Sequence, residues 1–330
     1  MKTEIVKNGT SEAICGARYF LFSNNEFNLA KNAAAIDIGG GTTDISYFAE
    51  HNLRFQDSVK FAGGNFLSVT GNLNALIGDS AEYDQAMRRW PFVKDDWDGK
   101  IAAFTGNPKS VKVIRNIGVF YGSICYYLGL HFKRENLTDP VEKIAFAGNG
   151  VRFMQVLTLG NVLSQNSLSE WVDLFRGCLA AGHGVSSKSY NTSFFFSPRP
   201  KLEVAQGLVV DAEISDPAGP GKSTKKMLGL DLQGAGVAFK FSDWPEDIHA
   251  IDLTQYDIDL TVLKSYVQAY NDSLKGPLKA YRLPALDPII EQTISNRIKR
   301  NLELRGARPL VNPLYFEAIE VLMDIYFRKA

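Results

Sequence analysis

Net charge is what this 330-residue chain most plainly lacks, its 36 Lys and Arg being matched by 36 Asp and Glu. No bulk field therefore draws it toward nucleic acid or an anionic membrane, and any polyanion it binds must be held by a local site. Cysteine is scarce as well. Cys15, Cys125 and Cys178 are odd in number and far apart, which argues against a disulfide framework or a zinc cluster and makes a reducing, cytoplasmic compartment the expectation. Cys125 and Cys178 lie in apolar runs and read as buried rather than nucleophilic. His51, His131, His183 and His249 are scattered, with no His/Cys pair at ligand spacing. A membrane-length apolar stretch is also missing. The helix-like run free of acidic and basic residues, Asn116 to Phe132, has 17 residues that include Ser123, His131 and three Gly. That is short of the ~20 apolar residues a span needs, and it reads as a buried helix. Met1 to Lys7 has no apolar core before a small-residue cleavage site, so no signal peptide is expected.

What is present suits a globular protein: 45% apolar residues and 12% aromatics supply a core, and the length suggests roughly two domains at ~150 residues each. The clearest local pattern is Ala33 to Ile38, three Gly, then Thr42 to Phe48, two β-prone runs joined by a glycine turn, which predicts a hairpin. Leu53 to Phe61 offers a third strand. Gly63-Gly64 then opens a segment with Phe66, Val69, Leu73 and Leu76 at helical spacing. Residues from about 71 to 130 read as an inserted subdomain. Lys143 to Ala147 predicts a strand that ends in the turn Gly148-Asn149-Gly150 and leads into a helix with Phe153, Val156, Leu157 and Leu163 on one face. A helix over about 168–181, a strand at Ser193 to Phe196 and a helix from Lys201 follow. From 216 onward the pattern predicts a mainly helical C-terminal extension, with helices over Leu260 to Leu274 and Pro313 to Arg328.

The segment Asp37-Ile38-Gly39-Gly40-Gly41-Thr42-Thr43-Asp44 carries the chemistry. Glycines let the main chain approach a phosphate and turn successive N–H groups inward as an anion-binding concavity. Two carboxylates flanking that turn would repel a bare phosphate, but they suit hydrated Mg²⁺, which keeps several waters and takes few protein ligands. Acid plus glycine turn points to a Mg-nucleotide.

These residues resemble the second phosphate motif of the actin-like ATPase superfamily, which includes actin, heat-shock ATPase chaperones and bacterial actin-like proteins. Gly63-Gly64-Asn65-Phe66 is similar to the Gly-Gly-x-x-Phe step that follows in the chaperone and bacterial actin branches. Lys143 to Phe153 resembles the adenosine motif. Thr10 to Ala17 and Leu202 to Leu208 resemble the two connecting helices, whose small residues let them cross closely. The resemblance covers about residues 4–215. It implies an α/β fold, an actin-like (ribonuclease H-like) ATPase half domain over 1–215, with 216–330 outside it.

The resemblance also implies roles. Asp37 would hold Mg²⁺ through water, with Asp44 near the ion. The amides of Gly39, Gly40, Gly41 and Thr42 would cradle the β- and γ-phosphates of ATP, with hydroxyl donors from Thr42 and Thr43. Glu12 resembles the acidic residue that reaches toward the attacking water or metal. Gly148, Asn149 and Gly150 would floor the ribose and α-phosphate, Asn149 standing where the family usually has Gly. The family's first half, with its own Asp-x-Gly phosphate loop, has no counterpart before the first connecting helix. The expectation is therefore a second half alone, a nucleotide-driven switch that hydrolyses ATP only when a missing half or a protein partner completes the cleft. The alternative class is a non-catalytic scaffold or filament former that binds partners through its C-terminal helices.

Two signals are set aside. Ala218 to Thr224 imitates the end of a P-loop, but Asp216 stands where the first Gly is needed. Arg297, Lys299, Arg300, Arg305 and Arg308 form a basic cluster with no aromatics between them, which reads as a solvated helix face, so no nucleic-acid partner is expected.

Overall fold

The structure, a computed structural model, describes residues 12–23, 27, 31–70, 108–158, 164–197, 202–210, 214, 224–234, 236–245, 248, 251–305 and 312–328. Its elements run α1 (Glu12–Ser23), β1 (Ala33–Ile38), β2 (Thr43–Ala49), β3 (Asn52–Val59), α2 (Gly63–Thr70), α3 (Pro108–Arg134), β4 (Lys143–Ala147), α4 (Met154–Leu157), α5 (Ser169–His183), β5 (Ser193–Phe196) and α6 (Glu203–Leu208). Then come β6 (Asp231–Gln233), β7 (Ala238–Phe239), β8 (Asp257–Asp259), α7 (Thr261–Ser273), α8 (Pro288–Arg305) and α9 (Leu314–Arg328).

The fold is α/β, built on a mixed five-stranded sheet of order β3-β2-β1-β4-β5. β1, β2 and β3 form an antiparallel meander, and β4 and β5 run parallel to β1. β1 is central and nearly all buried, so it reads Ala-Ala-Ala-Ile-Asp-Ile with no alternation. β3 lies at an edge and alternates buried and wetter positions. One face of the sheet carries Ala34, Ile36, Ile45, Tyr47, Phe55, Ile144 and Phe146 into the main core. The other carries Ala33, Ala35, Phe48, Ala145, Ala147 and Phe195 against Ile14, Ala17, Tyr19 and Phe20 of α1. Small alanines in the central strands let α1 sit close.

Residues 113–132 of α3 are all buried, as a helix segment that is apolar on nearly every side must be. Tyr266, Tyr270 and Tyr315, from α7 and α9, donate their hydroxyls to the carbonyls of Val119, Arg115 and Ser123, so each buried phenol finds a partner. No helix among the described residues is long and apolar enough to cross a membrane. Of the stretch expected as an insert, 71–107 lies outside the described residues, and 108–130 is instead part of this central helix. The P-loop-like segment 218–223 also lies outside them.

The C-terminal residues add to the expected helices a three-stranded antiparallel sheet of order β7-β6-β8. Nor do they form a detached layer. Leu314, Tyr315, Phe316, Ile319, Leu322 and Met323 of α9 belong to the same core cluster as Phe61, Phe120 and Tyr127. The apolar face of α9 is too wide to be left in water, and α2 and α3 cover it.

Candidate functional site

The β1–β2 hairpin forms as its sequence predicts, and its register sets the site. Asp37 pairs with Asp44 and Ile38 with Thr43, which leaves Gly39, Gly40, Gly41 and Thr42 as the turn. Side chains directly opposite on an antiparallel pair lie on one face about 4.5–5.5 Å apart at Cβ, and like charges there repel. Asp37 and Asp44, both half-buried, continue the Ala33–Ala35 face, with Ser58 opposite Asp44 and Ala147 opposite Asp37. One polar row therefore closes the α1 side of the sheet at the carboxyl end of β1, where open α/β sheets place their ligands.

The turn is held from below. Gly63 N–H donates to the Gly39 carbonyl at 3.1 Å and Gly64 N–H to the Gly40 carbonyl at 2.8 Å, so the first free amides of α2 are satisfied by the hairpin. A Cβ on Gly64 would fall 2.6 Å from the Gly40 carbonyl oxygen; this is the close approach that the second glycine permits. Thr43 is fully buried and donates its hydroxyl to the Phe61 carbonyl. Gly39 N–H donates to the Thr42 carbonyl at 2.8 Å. These two donors, expected to face phosphate, are therefore used within the protein, one in the turn itself and one on the Phe61 carbonyl. Gly40, Gly41 and Thr42 are exposed, their amides take no backbone partner among the described residues, and a Cβ on Gly40 or Gly41 would meet only open space.

The turn after β4 comes up against the same carboxylate. Gly148 has φ +78°, and a Cβ there would lie 2.1 Å from Asp37 Oδ1, so only glycine fits both the backbone and the contact. Gly150 packs on Ile38, and its carbonyl accepts from the buried Tyr121 hydroxyl. Asn149 Oδ1 is buried without a hydrogen-bond partner among the described residues. Glu12 opens α1, but its side chain lies outside the described residues.

Three further residues join the site that the motif reading did not single out. Glu203 of α6, 2% exposed, accepts from Gly148 N–H at 3.3 Å. Burial pulls the Arg152 guanidinium below its usual value, and the Glu203 charge opposes that fall. Asn65 completes the start of α2: its Oδ1 accepts from Ala62 N–H at 3.2 Å, the return half of a capping box. Helix α6 crosses α1 so closely that a Cβ on Gly207 would sit 1.8 Å from the Cys15 carbonyl oxygen.

Among the described residues no cluster of three or more His, Cys, Asp or Glu is arranged to hold a metal. The hairpin supplies two carboxylates, a set that fits an ion bound mainly through water and not a dehydrated one. A separate cleft of about 450 Å³ lies between α5 and α7, lined by Asp173, Arg176, Lys188, Tyr190, Asp272 and Lys275 among others. Asp173 pairs with both Arg176 (3.1 Å) and Lys275 (2.9 Å), which leaves that cleft little uncompensated charge. In the basic cluster Arg297 pairs with Asp324 at 2.6 Å and Lys299 with Asp257 at 3.3 Å. Cys125 and Cys178 are fully buried, and burial pushes both thiols up, away from nucleophile chemistry. No protein-family model matches the chain, and no curated protein matches it significantly.

Proposed function

We propose that this chain binds Mg-ATP at the β1–β2 turn, as the second-half domain of an actin-like ATPase. The observation that carries the reading is one juxtaposition: a glycine turn with outward amides, two carboxylates directly opposite each other beside it, and the Gly148 turn seated on one of them. The mixed five-stranded sheet with helices on its faces is compatible with this reading.

In this reading the amides of Gly40, Gly41 and Thr42 hold the terminal phosphates, and Asp37 and Asp44 orient the waters of the ion. The ion supplies charge neutralisation for the phosphates. Asn149 Oδ1 accepts from a sugar hydroxyl, which gives the orphaned oxygen a partner. Phosphoryl transfer depends mostly on positioning and charge, and here only one wall of a cleft does the positioning. Binding is therefore weak, with a Kd of about 0.1–1 mM, or roughly 4–5.5 kcal/mol, and turnover needs a second wall from a protein partner. A scaffold acting through C-terminal helices has less support, since α9 buries its apolar face in the core.

Titration calorimetry with Mg-ATP tests the proposal. Magnesium-dependent binding that Asp37→Ala weakens at least tenfold is the expected result. Binding that ignores both magnesium and the substitution would sink it.

A further inference from the structure

The nucleotide reading gives no task to the C-terminal hundred residues, yet one of their helices is tied to the glycine turn. Phe316 and Glu320 lie one turn apart on α9. Phe316 stacks on Phe61 with ring centroids 4.6 Å apart and planes 21° apart. Glu320 Oε1 accepts from Asn65 Nδ2 at 2.8 Å. Phe61 and Asn65 bracket Gly63-Gly64, whose amides hold the carbonyls of Gly39 and Gly40. Phe61 also offers its carbonyl to Thr43, the first residue after the turn.

We propose that α9 is the positioning element of the phosphate turn and that Glu320, acting through Asn65, is its positioning residue. This inference rests on the nucleotide reading for its consequence, though not for its geometry. The logic is that of a short lever. Asn65 holds two groups at once, the start of α2 through Ala62 N–H and α9 through Glu320. A shift of α9 therefore moves the glycine pair, and the glycine pair carries the Gly39 and Gly40 carbonyls with it. The peptide units bearing those carbonyls also bear the amides of Gly40 and Gly41, the donors assigned to phosphate. Rotating them even slightly misaims the donors, and hydrogen bonds weaken steeply with angle. Whatever displaces α9 thus changes nucleotide affinity without touching the nucleotide, and bound nucleotide biases α9 by the same amount.

Three variants of the full chain decide the matter. Glu320→Ala removes the acceptor. Glu320→Gln keeps an acceptor oxygen for Asn65 Nδ2. Asp324→Ala breaks the Arg297 pair one turn along the same helix and serves as a control for general loosening of α9. Amide hydrogen exchange is followed over 39–43 and 61–66, alongside Mg-ATP calorimetry. Glu320→Ala is expected to speed exchange at the turn about tenfold, the scale of one lost hydrogen bond, and to weaken Mg-ATP severalfold. Glu320→Gln should restore both, and Asp324→Ala should leave the turn as in the wild type. Equal effects of Glu320→Ala and Asp324→Ala on the turn, or none from Glu320→Ala, would overturn the proposal. If the wild type binds no Mg-ATP, the nucleotide reading fails, and the exchange data alone still decide whether α9 positions the turn.

Discussion

Glu320 shows how one residue's surroundings become a measurable property of the protein. Burial first, and the neighbouring Glu317 charge second, raise its carboxyl from 4.5 to about 8, against the opposing hydrogen bond from Asn65. Between those pH values the folded chain keeps a proton that the unfolded chain has released, so stability falls as pH rises through the window. At about 1.4 kcal/mol per pH unit, the loss reaches on the order of 5 kcal/mol by alkaline pH. Glu320→Gln should flatten that slope and raise stability above neutral pH; denaturant midpoints measured across the window would check it, and an unchanged slope would refute it. Asp37, Asp44 and the turn glycines were legible in the sequence because carboxylates bracketing a glycine run have few structural uses. Glu203 and Glu320 were not, because their partners lie 55 and 255 residues away along the chain and nothing local marks a buried acid as paired.

Elements were legible where period and punctuation agreed. The hairpin, β4 and β5 fall where alternating or apolar runs meet glycine and proline, and the expected strand at Ser193 to Phe196 is β5 to the residue. β6, β7 and β8 are two or three residues long, too short to show any period. Of α8 only the basic face around Arg297, Lys299 and Arg300 was expected on a helix, whereas Ile290, Ile294, Ile298 and Leu302, four apart and all buried, carry the stripe that places it. The close crossing of α1 and α6 was expected from small residues, and at Gly207 it leaves no room for a Cβ beside the Cys15 carbonyl. Gly207→Val should force the helices apart and destabilise the fold by about 1–3 kcal/mol. Because Glu203 lies one turn away and holds the Gly148 turn, Mg-ATP binding should weaken along with thermal stability. Loss of stability with binding intact would detach α6 from the site.

At the scale of the whole molecule, the expectation of an ATPase half with an added C-terminal region gives way, beside a smaller core under α1, to a main core that both share. Phe61 of the site side and Phe316 of α9 stack in it, and α3 lies at its centre. Long-range packing of this kind leaves no periodic trace in a sequence. Phe316→Ala should cost about 3–5 kcal/mol and lower a single unfolding transition seen alike by far-UV and near-UV circular dichroism. A C-terminal transition that separates from the rest would contradict the shared core. The central claim is that the glycine turn is a phosphate site, and glycine-selective amide NMR during a Mg-ATP titration tests it most directly. The account predicts saturable shifts at Gly40, Gly41 and Gly148 that vanish without magnesium. No shifts at these glycines, or shifts confined to Gly177 in the cleft between α5 and α7, would contradict it.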